Sequence, residues 1–166
     1  MTLTGAAKIA GVIGWPVGHA LSPVLHGYWL AENGIDGAMV PLAVRPEDFA
    51  AVLRGVRLAG FRGVNVTVPH KEAAFAIADI SDAAATAAGA ANLLLFRQDG
   101  KVEARNTDEA GFTASLAEGM GGESLAGKKI VLLGAGGAAR ALVRALAAMG
   151  AKQIVILNRG AARAEA

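Results

Sequence analysis

Apolar positions along the chain fall into two kinds of block. Short runs at residues 8–14 (KIAGVIG), 39–44, 63–66 (GVNV), 128–134 (KKIVLLG) and 153–157 (QIVIL) are bounded by Gly or Pro and read as buried strands. Between them, apolar residues recur at helical spacing, most plainly Phe49, Val52, Leu53 and Val56 within a helix predicted over 46–58. Further helices are predicted over 22–32, from Pro69 through the 72–77 region, over 81–88, from Thr107 or Asp108 to about 118, and over 139–149. Asn33-Gly34, Gly60, Gly89 and Gly150 supply the stops. Residues 92–96 and 101–105 read as two strands joined through Gln98-Asp99-Gly100, where Asp-Gly signals a hairpin.

This alternation predicts an α/β fold, with an N-terminal α/β domain on a mostly parallel sheet over residues 1–106. A linking helix and the first part of a Rossmann-type dinucleotide-binding domain follow over 107–166, with the glycine-rich stretch 119–127 as the loop where the character of the chain changes. Of the 166 residues 54% are hydrophobic, enough for a real core and incompatible with disorder of the low-hydrophobicity kind. Net charge is +2, without a Lys/Arg run or an aromatic-basic alternation, so no nucleic-acid partner is expected. The absence of cysteine rules out disulfides and thiolate metal sites and fits a cytoplasmic protein. The first residues show no signal peptide, and the most apolar window, about 83–96, is too short to span a bilayer, so no membrane partner is expected.

The candidate chemistry gathers around residues 63–71, GVNVTVPHK. Pro69 ends the strand, which puts Asn65, Thr67 and Lys71 at or just beyond its carboxyl end, where open α/β sheets present ligands. A lysine there exchanges protons when burial and neighbours lower its pKa; on a first helical turn it is otherwise a surface residue. Ser22 reads as an N-cap with Pro23 first in the helix, and the same helix start attracts an anion such as a carboxylate. Asp108 stands in a first turn, where the helix dipole favours an acid. His19, His26 and His70 are scattered, with no carboxylate at metal-ligand spacing, and no metal is expected.

Gly134, Ala135, Gly136, Gly137 and Ala138 lie between a strand and a helix, in a G-x-G-x-x-G/A pattern with Ala139 in third place. Such a turn cradles a dinucleotide pyrophosphate. After the next strand an NAD site needs an acid, whereas this chain has Asn158-Arg159, with Arg163 four residues on. Two arginines clamp a 2′-phosphate, so the cofactor expected is NADP. Only the first two strands of one dinucleotide-binding half are present, and the natural polypeptide is expected to continue for about a hundred residues beyond Ala166.

Together VIGWPVGHALSP, GVNVTVPHK, GAAN at 89–92, RNTDEAG at 105–111, GAGGAAR and NRGAARA resemble the shikimate/quinate dehydrogenase family, over essentially the whole chain. The resemblance implies an enzyme, an NADP-dependent oxidoreductase of a CH–OH group, reducing 3-dehydroshikimate reversibly to shikimate in aromatic amino-acid (chorismate) biosynthesis. It implies that Lys71 and Asp108 form the catalytic pair and that Ser22, Asn65, Thr67 and Asn92 hold the substrate carboxylate and hydroxyls. The glycine turn with Asn158, Arg159 and Arg163 forms the NADP site in the same reading. The partner implied is a small molecule, shikimate or a related ring acid, bound by a monomer or homodimer. Two positions depart from the family pattern: Ala20 stands where the first Ser of Ser-x-Ser is common, and Leu93 where G-A-V-N-T ends in Thr. Both keep quinate or aminoshikimate open as alternatives, and a non-catalytic ring-acid sensor is a further one.

Overall fold

In the computed structural model residues 3–160 and 162 are described. Among the described residues eight strands, six α-helices and one 3-10 turn (Pro46–Asp48) follow in chain order, organised about two sheets. The larger sheet holds β1 (Lys8–Gly14), β2 (Gly37–Ala43), β3 (Gly63–Val66), β4 (Ile80–Ser81), β5 (Leu93–Phe96) and β6 (Val102–Arg105), in the order β2-β1-β3-β5-β6-β4. Pairings β1–β2, β1–β3 and β4–β6 are parallel; β3–β5 and β5–β6 are antiparallel, so the sheet is mixed but mostly parallel. The hairpin closes as the Asp-Gly signal predicts: Arg97 N–H donates to the Lys101 carbonyl at 3.0 Å, and Gly100 takes φ 83°.

The strand pleat sorts residues between two faces. Ile13, Val64, Val66 and Leu94 pack with Val44, Phe49, Leu53, Ala74, Ala85 and Val102 in the main core. That face is covered by α2 (Phe49–Leu58), α3 (Lys71–Ile77) and α4 (Ala83–Ala88). Val12, Val17 and Met39 form a smaller cluster on the opposite face. Helix α1 (Ser22–Glu32) packs against β2 but buries none of its residues, leaving Leu21, Val24, Tyr28 and Trp29 exposed along one side.

Several helix starts differ from the sequence expectation. Leu21, not Ser22, is the N-cap of α1, with φ −91° and ψ −3° and no side-chain cap bond. An N-cap side chain needs extended backbone to reach the next N–H groups; Ser22 is already the first helical residue, so the capping role assigned to it is wrong. Helix α3 starts at Lys71 rather than near Pro69. Residues 67–70 form a turn in which His70 N–H donates to the Thr67 carbonyl (2.9 Å), and the helical ladder opens only with Ala74 N–H on the His70 carbonyl (2.8 Å). The Val68–Pro69 peptide within that turn is cis. Helix α4 starts at Ala83 rather than at 81, because Ile80–Ser81 pairs with β6 and the Asp82 carboxylate caps Ala85 N–H at 2.6 Å. Helix α5 (Asp108–Gly119) has Thr107 in the N-cap position without a side-chain cap bond.

The second sheet is the parallel pair β7 (Lys129–Leu133) and β8 (Gln153–Leu157), joined through α6 (Gly137–Ala148). Helix α6 starts two residues earlier than predicted, with Gly136 as its N-cap. Ala141, Ala145 and Leu146 are buried, whereas Val131 and Leu133 stay 60% and 79% exposed, as expected of a two-stranded sheet with little to cover it. Helix α5 packs against α6, and α4 touches it too.

Candidate active site

Because β5 runs antiparallel to both β3 and β6, the carboxyl ends of β1, β3 and β6 and the amino end of β5 meet at one edge of the large sheet. The site is built on that edge. Thr67 N–H donates to the Ile13 carbonyl (2.9 Å), Val66 N–H to the Asn92 carbonyl (2.8 Å) and Asn92 N–H to the Arg105 carbonyl (3.1 Å), so the ladders carry on past the strand ends. Gly14 makes room for Thr67: a Cβ there would stand 2.6 Å from Thr67 Cγ2.

Lys71 and Asp108 are the first residues of α3 and α5, and the structure brings them together although 37 positions separate them. Lys71 Nζ donates to Asp108 Oδ2 at 2.5 Å, with the side chains only 13% and 18% exposed. Asn92 joins the pair, its Nδ2 donating to Asp108 Oδ1 (2.8 Å) and Thr107 Oγ1 (2.9 Å) while its Oδ1 accepts from Thr107 N–H (3.0 Å). Both carboxylate oxygens are thus held by different donors, which fixes the plane of the acid as well as its position. An ammonium and a carboxylate held this way, partly out of water, can pass a proton to an oxygen placed against the amine and orient a hydroxyl beside it.

The remaining predicted positions take separate places. Asn65 is half-buried between Val12 and Leu93 in the ladder, on the face opposite Val64 and Val66. Thr67 is half-buried at the end of β3, and Ser22 half-buried in the first turn of α1. Leu93 is the direct cross-strand neighbour of Asn65, so the departure from the family pattern at 93 falls beside a predicted ligand-binding side chain. Sequence reasoning passed over Asn106 and gave His70 no role. Asn106 is 5% exposed, and the signal for it was an Asn two residues ahead of an acid at a helix start. His70 is 2% exposed, its Nε2 is 2.8 Å from the Val44 carbonyl and its ring stacks on Phe49, so it anchors the turn that presents Lys71. His19 is exposed and His26 packs edge-on against Trp29. Among the described residues no group of three or more His, Cys, Asp and Glu is arranged to hold a metal.

At the second sheet, Gly134 follows β7 with φ 102°, a conformation that side chains disfavour, and its N–H donates to the Leu157 carbonyl (2.8 Å). Ala135 and the N-cap Gly136 lead into α6, whose first N–H groups have no intrahelical acceptor. A Cβ built on Gly134 or Gly136 meets nothing within 4 Å, so the turn is open to a ligand. At the end of β8, Asn158 Nδ2 donates to the Gly160 carbonyl (2.8 Å) and Arg159 is exposed. Arg163 lies outside the described residues.

These features define a class: an α/β protein in which a Lys–Asp pair at a sheet edge is joined by one helix to a strand–glycine turn–helix unit of the dinucleotide-binding type. Residues 12–94 match the shikimate dehydrogenase substrate binding domain, and residues 115–166 match shikimate / quinate 5-dehydrogenase. The chain belongs to the shikimate dehydrogenase family. It is 51% identical, over its whole length, to the shikimate dehydrogenase (NADP(+)) of Acidiphilium cryptum, and covers 59% of that protein. The crystal structure of shikimate dehydrogenase from Aquifex aeolicus superposes with a TM-score of 0.90 at 34% identity, covering 99% of this chain and 60% of that one. Shikimate 5-dehydrogenase from Thermus thermophilus, in complex with NADP(H) and shikimate, is 39% identical with a TM-score of 0.81, covering 95% of this chain and 58% of that one. The chain thus spans about three fifths of the length of the curated relatives it matches.

Proposed function

We propose that the protein is an NADP-dependent shikimate dehydrogenase, reducing 3-dehydroshikimate reversibly to shikimate in the route to chorismate and the aromatic amino acids. The observation that carries this reading is the Lys71–Asp108 pair, held at 2.5 Å where β3 and β6 end, with Asn92 bonded to the acid. Residues 1–106 form the substrate-binding domain, and 107–166 the linking helix with part of the cofactor-binding domain. Lys71 gives its proton to the carbonyl oxygen as it becomes an alkoxide, and takes it back in the reverse direction. Asp108 orients the ammonium and the hydroxyl on the neighbouring ring carbon. Ser22, Asn65, Thr67 and Asn92 supply neutral hydrogen bonds to the carboxylate and hydroxyls of a small, strongly hydrated ring acid.

The cofactor fits the residues present: an open glycine turn at a helix N-terminus, and Asn158 with Arg159 rather than an acid after β8. Gly134, Ala135, Gly136, Gly137 and Ala138 would hold the pyrophosphate, and Asn158, Arg159 and Arg163 the 2′-phosphate. NADPH, when bound, supplies the hydride. This chain's part is to orient the ring and keep the amine and acid in register.

The test follows NADPH absorbance in the full-length protein with shikimate, quinate and aminoshikimate, each with NADP and with NAD. Turnover of shikimate with NADP is expected; activity with NAD alone would overturn the Arg159/Arg163 assignment. Lys71→Ala should lower turnover about 100- to 10,000-fold with little change in substrate affinity, the range that a positioned acid–base group contributes. Leu93 beside Asn65 favours quinate or aminoshikimate as the second reading, which the same assay separates.

A further inference from the structure

We infer that Asn106 is a positioning residue, the amide that locks Asp108 to Lys71 through the backbone; this rests on the functional reading of the pair given above. Asn106 does not touch the Asp108 carboxylate. Its Oδ1 accepts Asp108 N–H at 2.9 Å, and its Nδ2 donates to the Ala90 carbonyl at 2.8 Å. The residue is 5% exposed and Ala90 is fully buried, so water cannot readily replace either bond.

The path through these bonds closes on itself. Ala91 N–H, next in the chain to Ala90, donates to the Lys71 carbonyl at 2.8 Å. Lys71 is therefore tied to Ala91, Ala90 to Asn106, Asn106 to Asp108, and the Asp108 carboxylate returns to Lys71 Nζ at 2.5 Å. Only one side chain in the loop, besides the pair itself, carries a link, and it is Asn106. Asp108 N–H, the first orphan donor of α5, finds its acceptor in Asn106 Oδ1. Asn92 holds the carboxylate tip and Asn106 holds the root.

Removing Asn106 frees the root while leaving every group that faces the substrate chemically unchanged. A displacement of about 1 Å at a reacting group costs on the order of 100-fold in rate. The expected signature is a fall in kcat with little change in KM. In the full-length protein, Asn106→Ala should lower kcat by about 10- to 100-fold with KM for shikimate within about threefold. Asn106→Ser, whose hydroxyl can still accept Asp108 N–H, should recover part of the loss. Lys71→Ala is assayed alongside. If Lys71→Ala is inactive and folded Asn106→Ala turns over at the parent rate, the positioning role is wrong and the functional reading stands. If Lys71→Ala keeps its activity, the functional reading fails. Crystal structures of the two Asn106 variants then decide the positioning role on geometry: a lengthened Lys71–Asp108 contact supports it and an unchanged one overturns it. Failure of both variants to fold would assign Asn106 to stability and overturn the proposal.

Discussion

At the scale of single residues, two chemically similar asparagines divide one task. Asn92 uses both amide hydrogens on Thr107 and the Asp108 carboxylate and keeps one lone pair of Oδ1 for a hydroxyl, whereas Asn106 works only on backbone. Leu93 offers the complementary case, an apolar side chain beside Asn65 where the family pattern has a hydroxyl. Leu93→Thr returns a donor and acceptor to that spot. Since a net hydrogen bond contributes about 0.5–1.5 kcal/mol, KM for shikimate should fall by roughly two- to tenfold, with kcat little changed. Steady-state kinetics on the full-length protein decide it, and an unchanged KM means that position 93 does not face the ring. Gly89 lies in the left-handed region at φ 58°, and a Cβ there would also stand 3.1 Å from Arg140 Nη1.

Among the elements, the short ones depend most on their ends. Helix α4 has six residues, and its only side-chain cap is Asp82 on Ala85 N–H. Asp82→Ala should lower stability by about 1 kcal/mol, read as a shift in the urea midpoint at constant slope. The β5–β6 hairpin carries an ionic cluster instead, in which Glu103 accepts from Arg97 Nη1 (2.8 Å) and Arg105 Nε (2.7 Å). The Arg97 bond first, then the Arg105 bond, hold the Glu103 carboxyl below its usual pKa. A depressed carboxyl stabilises the fold above the unfolded-state value, and that contribution is lost as pH falls through the folded-state value. Hairpin amides should therefore exchange faster, relative to the intrinsic rate, below about pH 4 than at neutral pH, and Glu103→Gln should remove the difference.

Much of this element layer was legible from pattern alone. β1, β8 and the 22–32 helix stand where the apolar runs and the Asn33-Gly34 stop put them, because those signals are local. The starts of α3 and α4 were not legible. The turn at 67–70 and the pairing of Ile80–Ser81 with β6 depend on tertiary partners that no local window contains. Site residues divided in the same way: Lys71 and Asp108 stood out by motif, while Asn106 is visible only once Ala90 is seen beneath it.

For the whole molecule, the two sheets are unequally protected. The large one has a core on both faces, whereas Val131, Leu133, Val155 and Leu157 of the small one are exposed. Exposed apolar strands offer an edge and a face to other copies. The 166-residue chain should self-associate at micromolar concentration, and Leu133→Lys with Leu157→Lys should reduce this with little change in thermal midpoint. Sedimentation velocity tests it; a monomeric parent chain would mean that these strands are shielded in solution.

Helix α5 begins with the Asp108 carboxylate and lies along α6, the helix that opens at the glycine turn. Twelve residues make a rod of about 18 Å, so a tilt of about 5° pivoting at its far end swings the acid by roughly 1.5 Å, half the span of a hydrogen bond. The rod works as a lever: a shift of the glycine-turn unit on which it lies would pull on the acid, and the Asn92 and Asn106 bonds are what resist that pull.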